Sequence, residues 1–94
     1  MKDKSSIDAA FTRELNVIIF ANLENENFGV KELAREIGLS RFNLNRKLHF
    51  IYQKTTNQYI RELRLKRARE LLQNDSLTAS EVAFKVGFSS PAYF

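Results

Sequence analysis

Phe42, Asn45, Arg46 and His49 follow one another at steps of three, one and three residues. On a helix, which advances by about 100° per residue, those steps gather all four on one side. The residue types suit the edges of DNA base pairs: an arginine forks onto guanine, an asparagine amide pairs with adenine, and a phenylalanine presses on a thymine methyl. Phe42, Asn45 and Arg46 are therefore the candidate base readers. The competing reading is a solvated face with one stray aromatic. Phe42 weighs against it, because an exposed phenylalanine beside an arginine needs a partner. Around these three, Arg41, His49, Lys54, Arg61, Arg64 and Arg67 are candidates for phosphate contacts, with Glu62, Glu70 and backbone carbonyls as rival partners for some of them.

Other chemistries find little support. His49 is the only histidine and there is no cysteine, so zinc ligation or catalysis at His49 lacks the companions it would need. The acids are scattered over separate helix faces, and no glycine-rich phosphate loop appears. The chain is expected to be no enzyme and to hold no cofactor.

Charge points the same way as the stripe. The net charge of +4 over 94 residues is unevenly spread. Residues 41–69 hold nine lysines or arginines against one acid, whereas residues 1–40 hold five bases against seven acids and residues 70–94 one base against three. A basic middle between two acidic ends implies a surface that faces a polyanion. The absence of cysteine suits a reducing compartment. No apolar run approaches the ~20 residues of a membrane span. The opening "MKDKSS" leads into an amphipathic stretch, not a signal peptide. A cytoplasmic protein without a membrane partner is expected.

The elements that must position the stripe are all helical. Ile7, Phe11, Leu15, Ile18, Ile19 and Leu23 recur at three- and four-residue steps and predict a first helix over 7–23, capped by Ser5 or Ser6. Val30, Leu33, Ala34 and Ile37 line a short second helix behind Gly29. Ser40 caps a third that runs to about Tyr52, with Leu44, Leu48, Ile51 and Tyr52 turned to the core. Thr55-Thr56-Asn57-Gln58 and Thr78-Ala79-Ser80-Glu81 have the form of capping boxes, in which hydroxyl and carboxylate or amide satisfy each other's backbone donors. The first opens a long fourth helix to about Gln73, and the second opens a fifth through Val86. Ser89 caps a last one, with Pro91 in its first turn, where the missing N–H does no harm. No segment alternates like a strand.

One phrase occurs twice. "VKELAREIGLS" (Val30–Ser40) and "ASEVAFKVGFS" (Ala79–Ser89) align at an offset of 49 residues, with Glu32 on Glu81, Ala34 on Ala83, Gly38 on Gly87 and Ser40 on Ser89. Helix, glycine turn and serine-capped helix make a helix-turn-helix. Glycine supplies the left-handed residue at the corner, and alanine lets the two helices approach. The fourth helix separates the copies. Ile60, Leu63, Ala68 and Leu71, with Leu65 and Leu72 further round, form an apolar arc too broad for one-sided packing. It should touch both units. About 18 residues span roughly 27 Å, close to the ~34 Å of one DNA turn, so two reading helices could meet successive major grooves.

Three stretches carry a family resemblance. "RLKRARELL" (Arg64–Leu72), "VAFKVGFSSPAYF" (Val82–Phe94) and "LAREIGLSRFNLNRKL" (Leu33–Leu48) resemble the linker-helix, second-unit and first-unit signatures of the AraC/XylS type of bacterial transcription factor, and together the likeness covers about residues 8–94. The resemblance implies an all-α fold of two helix-turn-helix units, each in a homeodomain-like three-helix subdomain, that binds promoter DNA. It implies base reading by Phe42, Asn45 and Arg46 and, in the second unit, a role for Ser89, Ser90 and Pro91. It also implies the output module of a larger regulator, such as a two-component one, with RNA polymerase as a further partner.

The chain departs from that pattern at Gln53, where the family usually has glycine, and at Gly29, where it usually has serine or threonine. It also stops at Phe94, one turn into the expected second reading helix. The organisation expected is a flexible segment at 1–6, a first subdomain at 7–54, a linker helix at 55–74 and an incomplete second unit at 75–94. Val82, Val86, Phe88, Tyr93 and Phe94 would then form an apolar patch prone to self-association. Two rival functions remain at this stage: a helical protein-interaction module with a basic face, and a nucleic-acid binder blind to sequence.

Overall fold

Five helices form along the described residues of the computed structural model, 4–74 and 77–88: α1 (Lys4–Ala21), α2 (Val30–Ile37), α3 (Arg41–Tyr52), α4 (Thr56–Asn74) and α5 (Ala79–Lys85). Each starts and stops where local chemistry directs. Ser40 Oγ accepts from Asn43 N–H at 3.0 Å and opens α3. The Thr55–Gln58 box closes both ways, at 3.1 and 2.8 Å, and opens α4. The Thr78–Glu81 box does the same for α5, at 3.2 and 3.0 Å. At α2 only half the device exists: Glu32 Oε1 accepts from Gly29 N–H at 2.9 Å, and Gly29 has no side chain to answer. The first helix differs from expectation. It begins at Lys4, inside the segment expected to be flexible, so neither Ser5 nor Ser6 stands outside it as a cap.

The repeated phrase is a repeated structure. Gly38 and Gly87 both take left-handed backbone, at φ 81° and 84°. Leu39 N–H donates to Ala34 O at 3.0 Å, and Phe88 N–H donates to Ala83 O at 2.9 Å, the same bond 49 residues on. Gln53 also lies in the left-handed region, at φ 57°, and its N–H closes α3 on His49 O at 2.9 Å. It thus takes the left-handed conformation that a glycine would favour, at a steric cost of about 1–2 kcal/mol.

Two cores sit at opposite ends of α4. Leu15, Ile19 and Leu23 of the first helix and its exit, with Phe28, Leu33, Ala34, Leu44 and Leu48, close on Tyr59 and Ile60. Val82, Ala83, Val86 and Phe88 close on Ala68, flanked by Leu65, Leu71 and Leu77. Each fully buried leucine or isoleucine contributes about 1.5–3 kcal/mol, so the broad apolar arc of α4 is explained by its service to both clusters. The patch expected at the C-terminal end is corrected in part: Val82, Val86 and Phe88 are buried, because α4 covers them. Tyr93 and Phe94 lie outside the described residues.

Polar links brace the first subdomain. Tyr52 and Tyr59 stack with centroids 5.5 Å apart. Tyr59 donates to Asn16 Oδ1 at 2.6 Å, and the Tyr52 and Thr12 hydroxyls hydrogen-bond to each other. Burial, followed by the neighbouring Tyr52, pushes the Tyr59 phenol up to about 12, against the lowering effect of Asn16.

Candidate nucleic-acid interface

Leu44 and Leu48 pull one side of α3 into the first core, and the opposite side is left to solvent. Phe42 is 71% exposed at its centre. The Arg46 guanidinium carbon lies 5.8 Å from the Phe42 ring centroid, so the two form one aromatic and cationic unit. Arg41 and His49 are exposed beside them.

Asn45 is engaged differently from expectation. Its Oδ1 accepts from the Thr56 backbone N–H at 2.9 Å and from Thr56 Oγ1 at 3.3 Å. That N–H is one of the donors a helix start leaves without an intrahelical partner, so Asn45 caps α4 from α3 and fixes the angle between the two helices. A two-bond pair with adenine needs this same oxygen, and the bidentate role is withdrawn.

Arg64 requires a second correction. It is only 6% exposed. Its Nη1 donates to Leu23 O at 2.5 Å and to Val86 O at 2.6 Å, and its Nη2 to Asn25 O at 3.2 Å and Phe28 O at 3.1 Å. All four outer N–H groups of the fork are committed to carbonyls, so none is left for a phosphate. Burial pulls its pKa below the ordinary arginine value. One side chain of the linker helix thereby ties the exit of α1, the loop before α2 and the corner of the second unit.

The other cations divide. Lys54, Gln58 and Arg61 line one shallow hollow of about 320 Å³ at the start of α4, and the Arg61 guanidinium also lies 5.6 Å from the Phe88 ring centroid. Lys54 pairs with Glu62 at 2.8 Å. Arg67 pairs with Glu70 at 3.4 Å and lines a different hollow, with Phe20, Leu71 and Lys85. Both pairs are half-exposed and worth little, about 0–1 kcal/mol, so a phosphate could replace either acid. Ser89, Ser90 and Pro91 lie outside the described residues.

The structure adds residues that the sequence reading missed. Asn43, Lys47 and Phe50, with Leu39 and Arg46, line a groove of about 490 Å³ between the corner and α3. Phe50 is 61% exposed. Lys47 Nζ lies 4.6 Å from the Phe11 centroid and binds α3 to α1. Phe50 falls four residues after Arg46 and eight after Phe42, so the helical period was a signal that would have extended the stripe to it.

Known proteins carry the same arrangement. A family model described as a helix-turn-helix domain matches residues 33–94. A crystal structure of an AraC-type transcriptional regulator from Chromobacterium violaceum superposes with a TM-score of 0.81 at 31% identity, over 94% of this chain and 78% of that one. The chain belongs to the AraC-type helix-turn-helix family. Its AraC-type corner, linker helix and second corner are the signatures read at Leu33–Leu48, Arg64–Leu72 and Val82–Phe94. The DNA-binding domain of AdpA, a global transcriptional factor solved in complex with a target DNA, superposes at a TM-score of 0.75 and 26% identity, covering 85% of this chain and 71% of that one. Histidine kinase P4 of Formosa agariphila is 39% identical over 90 residues, 96% of this chain, and the chain spans 7% of that kinase's length. Among the described residues no helix is long and apolar enough to cross a membrane.

Proposed function

We propose that this AraC-type chain is the DNA-reading output module of a longer bacterial regulator, and that α3 enters the major groove. Phe42 and Arg46 read bases, Arg46 by forking onto a guanine and Phe42 by pressing on a thymine methyl. Arg41, His49, Lys54, Arg61 and Arg67 meet phosphates, with Lys54 and Arg67 exchanging their carboxylate partners for the backbone. The observation that carries this reading is the Phe42–Arg46 unit, held outward on a helix whose other side buries Leu44 and Leu48. The likeness to a histidine kinase supports a two-component setting in the cytoplasm, in which phosphorylation elsewhere in a longer chain governs access to DNA. Contact with RNA polymerase would follow from bound DNA.

Titration of the chain against a promoter fragment and a scrambled duplex, at several salt concentrations, tests the proposal. Affinity should fall steeply with salt for both duplexes, because condensed counterions are released. Arg46→Ala should cost about 1–3 kcal/mol and relax preference at one base pair. Arg61→Ala should weaken both duplexes alike and lower the salt slope by about one. Equal affinity of the native chain for both duplexes would leave sequence-blind binding, and capture of an acidic protein without affinity for either duplex would leave an interaction module.

A further inference from the structure

Two asparagines flank Arg46 on α3. Arg46 points away from the side that buries Leu44 and Leu48. At about 100° per residue, Asn43 lies about 60° to one side of it, and Asn45 lies about 100° to the other, toward the buried stripe. Their amides are engaged differently. The Asn45 oxygen is held by the Thr56 N–H and hydroxyl. Asn43 gives its backbone N–H to Ser40 Oγ at 3.0 Å, which fixes it in the first turn of the helix. Its side chain is exposed, and the amide forms no hydrogen bond among the described residues.

A carboxamide with both ends open carries the pair of groups that adenine asks for: its oxygen accepts from N6–H, and its NH2 donates to N7. The first turn of a reading helix is also the part that reaches base edges. Asn43 stands about 4.5 Å along the helix axis from Arg46. The step between base pairs is ~3.4 Å, so the two side chains meet neighbouring pairs. The surroundings of Asn43 fit the other half of an A·T pair. It stands in the wall of the groove of about 490 Å³ to which Leu39 and Phe50 give an apolar lining. An A·T pair carries the thymine methyl on its major-groove edge, beside the adenine groups. Arg46 and Lys47 complete the lining with positive charge, which favours a polyanion as the occupant.

We infer that Asn43 sets base specificity beside Arg46: its amide pairs with the adenine of an A·T pair next to the guanine that Arg46 forks, and Leu39 and Phe50 receive the methyl of the partner thymine. The inference rests on the proposed entry of α3 into the major groove. It moves the adenine role from one asparagine to the other. Asn45 fixes α4, and Asn43 reads.

Selection of preferred duplexes from a randomised pool, then anisotropy titration of the duplex recovered, is the test. The native chain should recover a guanine with an A·T pair beside it, and Arg46→Ala should lose the guanine. Asn43→Ala should keep the guanine and the native thermal melt, while its discrimination at the adjacent pair falls by about tenfold or more. An adenine analogue without the N7 acceptor should weaken the native chain about fivefold and leave Asn43→Ala unaffected. Uracil in place of the thymine should weaken the native chain about threefold. Asn45→Ala should weaken every duplex alike and lower the melting temperature, because a helix cap is lost. An A·T preference that survives Asn43→Ala, or that disappears with Asn45→Ala instead, overturns this inference while the guanine still depends on Arg46. A motif that Arg46→Ala leaves whole overturns the entry of α3 itself, and this inference with it.

Discussion

The two copies of the repeated phrase share a backbone but differ in what stands behind the glycine. At Gly38 an added Cβ would meet nothing within 4 Å, and the corner is closed by its own backbone hydrogen bonds and apolar packing. Gly87 is buried, and a Cβ there would overlap the Arg64 guanidinium and the Leu23 carbonyl oxygen. The first copy is seated on a core formed by α1, α2 and α3 and closed by Tyr59 and Ile60 of α4. The second is short of core residues, and a buried cation of the linker helix attaches it to the first. The same local geometry is thus backed by hydrophobic burial in both copies, with a hydrogen-bond hub added in the second.

Removal of that hub is the strongest test of the difference. Arg64→Met keeps an apolar stem but strands the carbonyls of Leu23, Asn25, Phe28 and Val86. Unsatisfied buried acceptors cost about 1–3 kcal/mol each, less where water enters, so a total loss of about 3–5 kcal/mol is expected. That is a large share of the stability of a small domain. Arg64→Lys should recover only part of it, because an ammonium has three donors and no planar fork. Urea unfolding followed by circular dichroism reads both. A loss below about 1 kcal/mol for Arg64→Met would mean that the second unit is held by apolar contacts after all.

The glycines come next in size. Gly38→Ala faces only left-handed strain, about 1–2 kcal/mol. Gly87→Ala carries the same strain plus the overlap with Arg64 and a backbone oxygen that cannot move aside, and about 3 kcal/mol or more is expected. The comparison sharpens in a double-mutant cycle. Gly87→Ala and Arg64→Met act on one network and should be non-additive by 1 kcal/mol or more, roughly, whereas Gly38→Ala and Arg64→Met should add. Equal losses at the two glycines would erase the distinction between the copies.

Much of this arrangement was legible in the chain. The capping boxes at Thr55 and Thr78, the serine cap at Ser40 and both glycine corners follow from local chemistry, which sequence spacing exposes directly. The outward placement of Phe42 and Arg46 follows from period, once Leu44 and Leu48 define the inward side. Asn45 and Arg64 were misassigned for one reason. Each is polar and sits at a plausible contact position, but its partner is backbone far away in sequence: Thr56 for Asn45, and Leu23 and Val86 for Arg64. Helical periodicity states which side a residue faces but not which carbonyl or amide waits there. Gln53 shows the converse, since the backbone keeps the family's left-handed corner without the family's glycine. Gln53→Gly should therefore stabilise the chain, by up to about 1 kcal/mol after the added flexibility of the unfolded state is deducted.

The smallest difference between the copies lies at their helix starts. Thr78 and Glu81 satisfy each other's backbone N–H groups, whereas at α2 Gly29 has no side chain to accept and the Glu32 carboxylate serves the Gly29 N–H and its own. Gly29 has extended backbone, with φ −149°, and an added Cβ would come no nearer than 3.8 Å to Glu32 Oε1. A side chain fits there without strain. Gly29→Ser should complete the box and add a few tenths of a kcal/mol, which raises Tm by about 1–3 °C in a domain of this size. The two halves of the box respond differently to acid. Backbone hydrogen bonds, from Glu32's own N–H and then from Gly29, hold the Glu32 carboxyl below its ordinary value. Its contribution is present above the ordinary carboxylate range and is lost as pH falls through the lowered value. The serine hydroxyl does not titrate. The gain from Gly29→Ser should therefore persist in thermal melts at a pH below the lowered Glu32 value, where the carboxylate half has gone. A gain that vanishes with the carboxylate would show that the hydroxyl never reached the Glu32 N–H, and that the first copy had no vacant half to fill.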